Sequence, residues 1–182
     1  MIVLVNAESR YSGITSLPWI FRYKNIAIDC WESIWSQQEE NIELIKSKLW
    51  LFPISGSLDC DIIYYKDELA LSKFSVLQDN IQQIILNEQE NMKLLDKHYD
   101  LSSSYYAILN AQKKGDLLSA RMNIWGTIFH MITALARLNG TYYKYNWGKN
   151  LSESFSLKLL PTNFESRIKF LVQTSDISKA LD

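Results

Sequence analysis

The stretch from Asp116 to Gly140 constrains this chain more than any other. Asp116 suits a helix N-cap and Gly140 suits a helix end. Between them the apolar residues Leu117, Leu118, Ile124, Trp125, Ile128, Phe129, Ile132 and Leu135 lie on nearly every side of a helix through Asn139. A helix that is apolar all round has to be surrounded, so the spacing predicts the central member of a bundle, with Trp125, Phe129 and Ile132 in the core. The rest of the chain can supply the surroundings. Hydrophobic residues make up 47% of its 182 residues, and six Trp and ten Tyr add bulk. Only six Gly and three Pro punctuate it, which favours long helices over a strand-rich sandwich.

Three further helices are expected around that centre. Leu69 to about Leu95 carries Phe74, Leu77, Ile81, Ile84, Ile85 and Met92 at helical spacing. Asp100 is placed to cap a helix through about Lys113, with Gly115 ending it. Thr162 and Glu165 after Pro161 form a capping-box pattern, turning Phe164, Ile168, Leu171 and Val172 inward. The first 65 residues read differently. Met1–Val5 is a short apolar run, Trp19, Phe21 and Tyr23 alternate, and Ile26–Trp31 resumes an extended pattern after a Lys24-Asn25 turn. From Glu32 the period becomes helical (Ile34, Trp35, Ile42, Ile45, Leu49), Pro53 and Gly56 interrupt it, and Asp61–Tyr65 reads as a last strand. The expected fold class is α+β, mainly α: an incomplete α/β lobe over residues 1–66, then an up-and-down helical bundle over residues 67–182.

Charge and composition exclude several functions. Nineteen basic and 20 acidic residues give a formal charge of −1, too balanced for a bulk electrostatic grip on nucleic acid. No apolar run approaches the roughly 20 residues of a membrane helix, and the opening residues are too short for a signal sequence. Two cysteines, Cys30 and Cys60, without CxxC spacing point to free thiols and a cytoplasmic protein. Two histidines, His98 and His130, exclude a His-rich metal site. Arg121 and His130 share a helix, but they stand too far apart for the Arg–His pair of helical HEPN-type ribonucleases. His130 is therefore expected to be partly buried and hydrogen-bonded.

Two features carry candidate chemistry. Asp29 ends the apolar strand Ile26-Ala27-Ile28, where a carboxylate either faces water at the sheet rim or joins a carboxylate cluster. Asn139–Lys149 gathers Tyr142, Tyr143, Tyr145 and Trp147 with Lys144 and Lys149 just beyond a helix end. Such a segment can stack on a base and neutralise phosphate, or it can cap the bundle with its rings while the lysines reach water.

As a set, these pieces resemble bacterial nucleotidyltransferase-like proteins. Leu135-Ala136-Arg137-Leu138-Asn139-Gly140-Thr141-Tyr142-Tyr143-Lys144-Tyr145-Asn146-Trp147-Gly148-Lys149, followed by Leu160-Pro161-Thr162-Asn163-Phe164, is similar to that family's C-terminal helical region. Ile62-Ile63-Tyr64-Tyr65-Lys66-Asp67 resembles the strand and turn leading out of its palm lobe. The resemblance implies the remnant of a palm sheet followed by a substrate-binding bundle. It implies transfer of a nucleotide monophosphate from a nucleoside triphosphate such as ATP, with Mg²⁺, to a small-molecule or protein acceptor. It makes Asp29 the third palm carboxylate, a catalytic residue and metal ligand. It places Asn139, Tyr142, Tyr143, Lys144, Trp147 and Lys149 on the nucleotide and substrate side.

The chain departs from the family where the chemistry is concentrated. The Gly-Ser and Asp-x-Asp signature belongs N-terminal to these elements, and Met1–Val5 resembles the strand that runs on from the aspartate pair. Gly56-Ser57 and Asp59-Cys60-Asp61 do not replace it, because only Leu58 intervenes. The expectation is a fragment or degenerate homologue, inactive by itself and needing no cofactor. The alternative is a non-catalytic helical module for substrate recognition or partner binding, as a homodimer or with a second chain.

Overall fold

The structure, a computed structural model, describes residues 2–5, 19–24, 26–47, 52–62, 65, 67–144 and 149–174. These residues are mainly helical, and the chain divides into two compact units, Met1–Gln82 and Gln83–Asp182. The division falls inside a helix, beyond the expected boundary at residue 66. No helix among the described residues is long and apolar enough to cross a membrane.

In the first unit, β3 (Ile26–Ile34) pairs antiparallel with β2 (Trp19–Tyr23) and parallel with β1 (Ile2–Val5). The two partners use different stretches of β3: β2 takes residues 26–30 and β1 takes residues 31–34. Lys24 adopts a left-handed φ of 54°, a conformation that two-residue hairpin turns of the primed type require. Helix α1 (Trp35–Ser47) starts three residues after Glu32 and buries Ile45 and Gln38.

The helical period is interrupted before Pro53, since α1 ends at Ser47, but Pro53 and Gly56 themselves both lie within a second helix, α2 (Phe52–Leu58). Proline is tolerated in a first helical turn, where its missing N–H has no helical partner to lose. Asp61, Ile62 and Tyr65 are exposed and belong to no strand, so the expected Asp61–Tyr65 strand is not formed at its described positions; Ile63 and Tyr64 lie outside them. Asp67 opens α3 (Glu68–Leu86) by accepting from the Ala70 N–H at 2.8 Å. On α3, Gln78 Nε2 donates to the Ser57 carbonyl at 2.8 Å and ties the helix to the end of α2.

The expected helix from Leu69 to Leu95 is two helices. Asn87 ends α3 and caps α4 (Glu88–His98), its Oδ1 accepting from Glu90 N–H at 3.1 Å. A side chain that can cap its own neighbours competes with helix continuation, and here it wins. Next comes α5 (Ser102–Lys113), with Asp100 Oδ1 on the Ser102 N–H and Gly115 at φ 71° after its end. Helix α6 (Leu117–Leu138) follows, capped by Asp116 on the Ser119 N–H at 3.0 Å. Short α7 (Asn150–Ser154) and α8 (Phe164–Gln173) complete the second unit. The Thr162–Glu165 capping box is not made: Asn163 is the cap residue, with φ 59° and no side-chain cap bond.

Helix α6 packs against α4, α5, α7 and α8, as a central helix should. Its core face is the row Ala120, Ile124, Ile128 and Ile132, with Leu135 beyond. Trp125 and Phe129 are not in that core. They sit one position on, about 100° round the helix, and are 50% and 55% exposed. Three β-branched isoleucines at four-residue spacing fill the face first, leaving the larger rings outside. Ile132→Ala should therefore cost about 2–5 kcal/mol, whereas Phe129→Ala in dilute solution should stay within about 0.5 kcal/mol. Urea unfolding followed by circular dichroism measures both.

Candidate functional site

The segment from Asn139 begins at a helix end built for a sharp exit. Gly140 takes φ 59°, its N–H donates to the Arg137 carbonyl at 3.0 Å, and the Thr141 N–H donates to Ala136 at 2.9 Å. This paired closure is the Schellman motif, and the positive φ is what requires glycine. Asn139 then clamps a distant stretch. Its Oδ1 accepts from the Leu159 N–H at 2.6 Å and its Nδ2 donates to the Leu159 carbonyl at 2.9 Å. That two-way bond holds the end of α6 against the strap between α7 and α8.

Tyr143 is 3% exposed, and its hydroxyl donates to the Ile132 carbonyl on α6. Burial, aided by the Glu153 carboxylate, pushes its phenol far above the ordinary value. Tyr142 is half-buried and Lys144 is exposed, the Lys144 N–H donating to Glu153 Oε2 at 2.7 Å. Lys149 is also exposed; its carbonyl accepts from Glu153 N–H and Ser152 Oγ, both at 2.8 Å, where α7 begins. The Trp147 position lies outside the described residues. Asp29 stands on β3 opposite Ile20, and its side chain likewise lies outside them. Asn139, Tyr142, Tyr143, Lys144 and Lys149 thus come together in one loop, with Asn139 and Tyr143 turned to holding the second unit together.

Arg137 and Asn91 were not singled out by sequence, yet they form the most buried polar contact described. Arg137 is 0% exposed, and its Nη1 donates to Asn91 Oδ1 at 3.2 Å. Asn91 Nδ2 in turn donates to the Ile85 carbonyl at 2.6 Å. Desolvation lowers the guanidinium to about 10, so it remains charged at neutral pH. His130 is exposed, edge-on to Phe129, and so is not the partly buried side chain expected. Arg121 donates from Nη2 to the Thr174 carbonyl at 3.0 Å, just beyond α8.

The feature facing outward is the other side of α6. Leu118, Met122, Trp125 and Phe129 lie in line at four-, three- and four-residue steps. Leu118 and Met122 are 72% and 68% exposed, more than the two rings. Gly126 is exposed in the middle of this line, and a Cβ there would meet nothing within 4 Å. Arg121 and Arg137 are the only Asp, Glu, Lys or Arg on the whole helix. That near absence of charge was readable in the sequence, and it would have flagged a helix with two apolar faces.

No family model, curated protein or solved structure matches this chain. Among the described residues, no three His, Cys, Asp or Glu side chains gather as a metal site needs.

Tyr143 provides the test of this loop's structural role. Its raised pKa means that the folded state holds the phenol proton more tightly than the unfolded state. The resulting stability is complete below pH about 10 and is lost as pH rises from there. Tyr143→Phe should lose about 1 kcal/mol at neutral pH and should also lose this alkaline decline. Denaturant titrations of both proteins across the alkaline range measure the difference.

Proposed function

We propose that this chain is a non-catalytic helical binding module whose docking surface is the outer face of α6. One observation carries the reading: four large apolar side chains stand in line in solvent on a helix whose inner face already fills the core. Contiguous exposed apolar surface is unfavourable in water, and on a folded protein it marks a contact surface. The neighbouring polar groups do not interrupt it. Arg121 is turned to the Thr174 carbonyl and Arg137 is inside the unit. The partner this favours presents an apolar, uncharged surface of helix width.

Peroxide oxidation read by mass spectrometry tests the surface directly. In dilute native protein Met122 should oxidise faster than the half-buried Met131 on the same helix. Met122→Glu should leave folding stability unchanged within about 0.5 kcal/mol. Protection of Met122 in the dilute chain, or unfolding on Met122→Glu, would show that the chain covers this face itself.

A second reading rests on the family resemblance together with the position of Asp29 on β3, the strand that pairs with both others. On that reading β1–β3 are what remains of a nucleotidyltransferase palm, and Asp29 is its retained carboxylate. Asn139, Tyr142, Tyr143, Lys144, Trp147 and Lys149 then flank a nucleotide. Tyr143 offers no open ring face to a base, so nucleotidyl transfer by this chain ranks behind binding. Incubation with labelled ATP, Mg²⁺ and candidate acceptors should give no transfer. Label incorporation that disappears in Asp29→Asn would put the enzyme reading first.

A further inference from the structure

Resting on the binding-module reading, we propose that the occupant of the α6 face is a second copy of this chain. The two α6 helices lie antiparallel about a twofold axis, and Trp125 of each copy covers Gly126 of the other. The argument starts from Gly126. A glycine inside a helix is less stable than alanine by about 1 kcal/mol, so its presence there calls for a reason. Gly126 has no positive φ, and a Cβ would point into open space, so nothing described within the chain requires the side chain to be missing. Close approach by a surface from outside does require it.

The register follows from the row itself. In an antiparallel twofold contact, residues whose numbers share a constant sum face each other. The sum that sets Trp125 opposite Gly126 also sets Met122 opposite Phe129 and Leu118 opposite Thr133. The largest ring meets the gap left by the missing side chain, and a thioether meets an aromatic ring, a favourable pair. All six positions fall on the outer side of α6, away from the Ala120–Ile124–Ile128–Ile132 row. None of the six is charged, so the twofold brings no like charges together. The four large side chains offer on the order of 100 Å² each, about half of the roughly 800 Å² per partner of a standard interface. His130 at the rim, also exposed, adds to it. A contact of this size is a weak, reversible one.

Sedimentation equilibrium of the full chain, from sub-micromolar to about 100 µM, should show monomer passing to dimer. Met122 should become protected from peroxide over the same range. Gly126→Leu separates an interface role from a structural one, because the two effects run in opposite directions. The dilute monomer should melt at a higher temperature, since a better helix former enters open space. Dimer association should become at least tenfold weaker, since the close approach is blocked. Met122→Glu, checked for folding by circular dichroism, should weaken association similarly. A dimer indifferent to both substitutions would use another face and overturn the proposal. A chain that stays monomeric at every concentration with Met122 still reactive would overturn the second copy and leave the binding module standing. A monomer with Met122 protected even when dilute would overturn both.

Discussion

The second unit depends on a charge placed where charges are expensive. Arg137 lies wholly inside, near the end of α6, and an unpaired buried guanidinium would cost several kcal/mol. Asn91 answers it from α4 and simultaneously donates to the Ile85 carbonyl in the last turn of α3. One amide thus links three helices. Hydrophobic burial has no direction of its own, but this contact does, because a shift would strand a donor and an acceptor together. Asn87 prepares it by breaking α3 from α4, and its carbonyl accepts the Asn91 N–H at 3.0 Å.

With α6 held at that end, its two apolar faces take different roles. The inner row of Ala120, Ile124, Ile128 and Ile132 is enclosed by neighbouring helices. The outer row of Leu118, Met122, Trp125 and Phe129 is exposed around Gly126. Burying the inner row supplies stability, and the outer row leaves apolar surface in water, the face of the proposed contact. The loop after it follows a different logic. Asn139 grips Leu159, Tyr143 returns to Ile132, and Glu153 takes the Lys144 N–H. Asn139 and Tyr143 close the unit's end.

How legible these features were depended on their range. Asp116, Asp100, Gly115 and Gly140 acted where their spacing placed them, because capping and helix exit are settled within four or five residues. The Thr162–Glu165 box had the same local signal but lost to Asn163 in the left-handed conformation. The break at Asn87 was hidden by an apolar period that runs straight through it. Of the loop, the gathering of Asn139, Tyr142, Tyr143, Lys144 and Lys149 was plain from their adjacency. Their hydrogen-bond partners were not, since Leu159 and Ile132 lie up to 20 residues away.

By itself, the sequence determined that α6 exists, where it starts and stops, and that it is apolar all round. Those properties follow from caps, composition and the 3.6-residue period, which act along the chain. Only the tertiary structure decided which side of α6 is core. Hydrophobic burial has no direction, and the two apolar rows differ more in shape than in hydropathy. Packing against α4, α5, α7 and α8, together with the Arg137–Asn91 contact, selected the isoleucine row and turned Trp125 and Phe129 outward. The sequence period sets the angle between the two rows, but the rotation of the helix about its axis belongs to its neighbours.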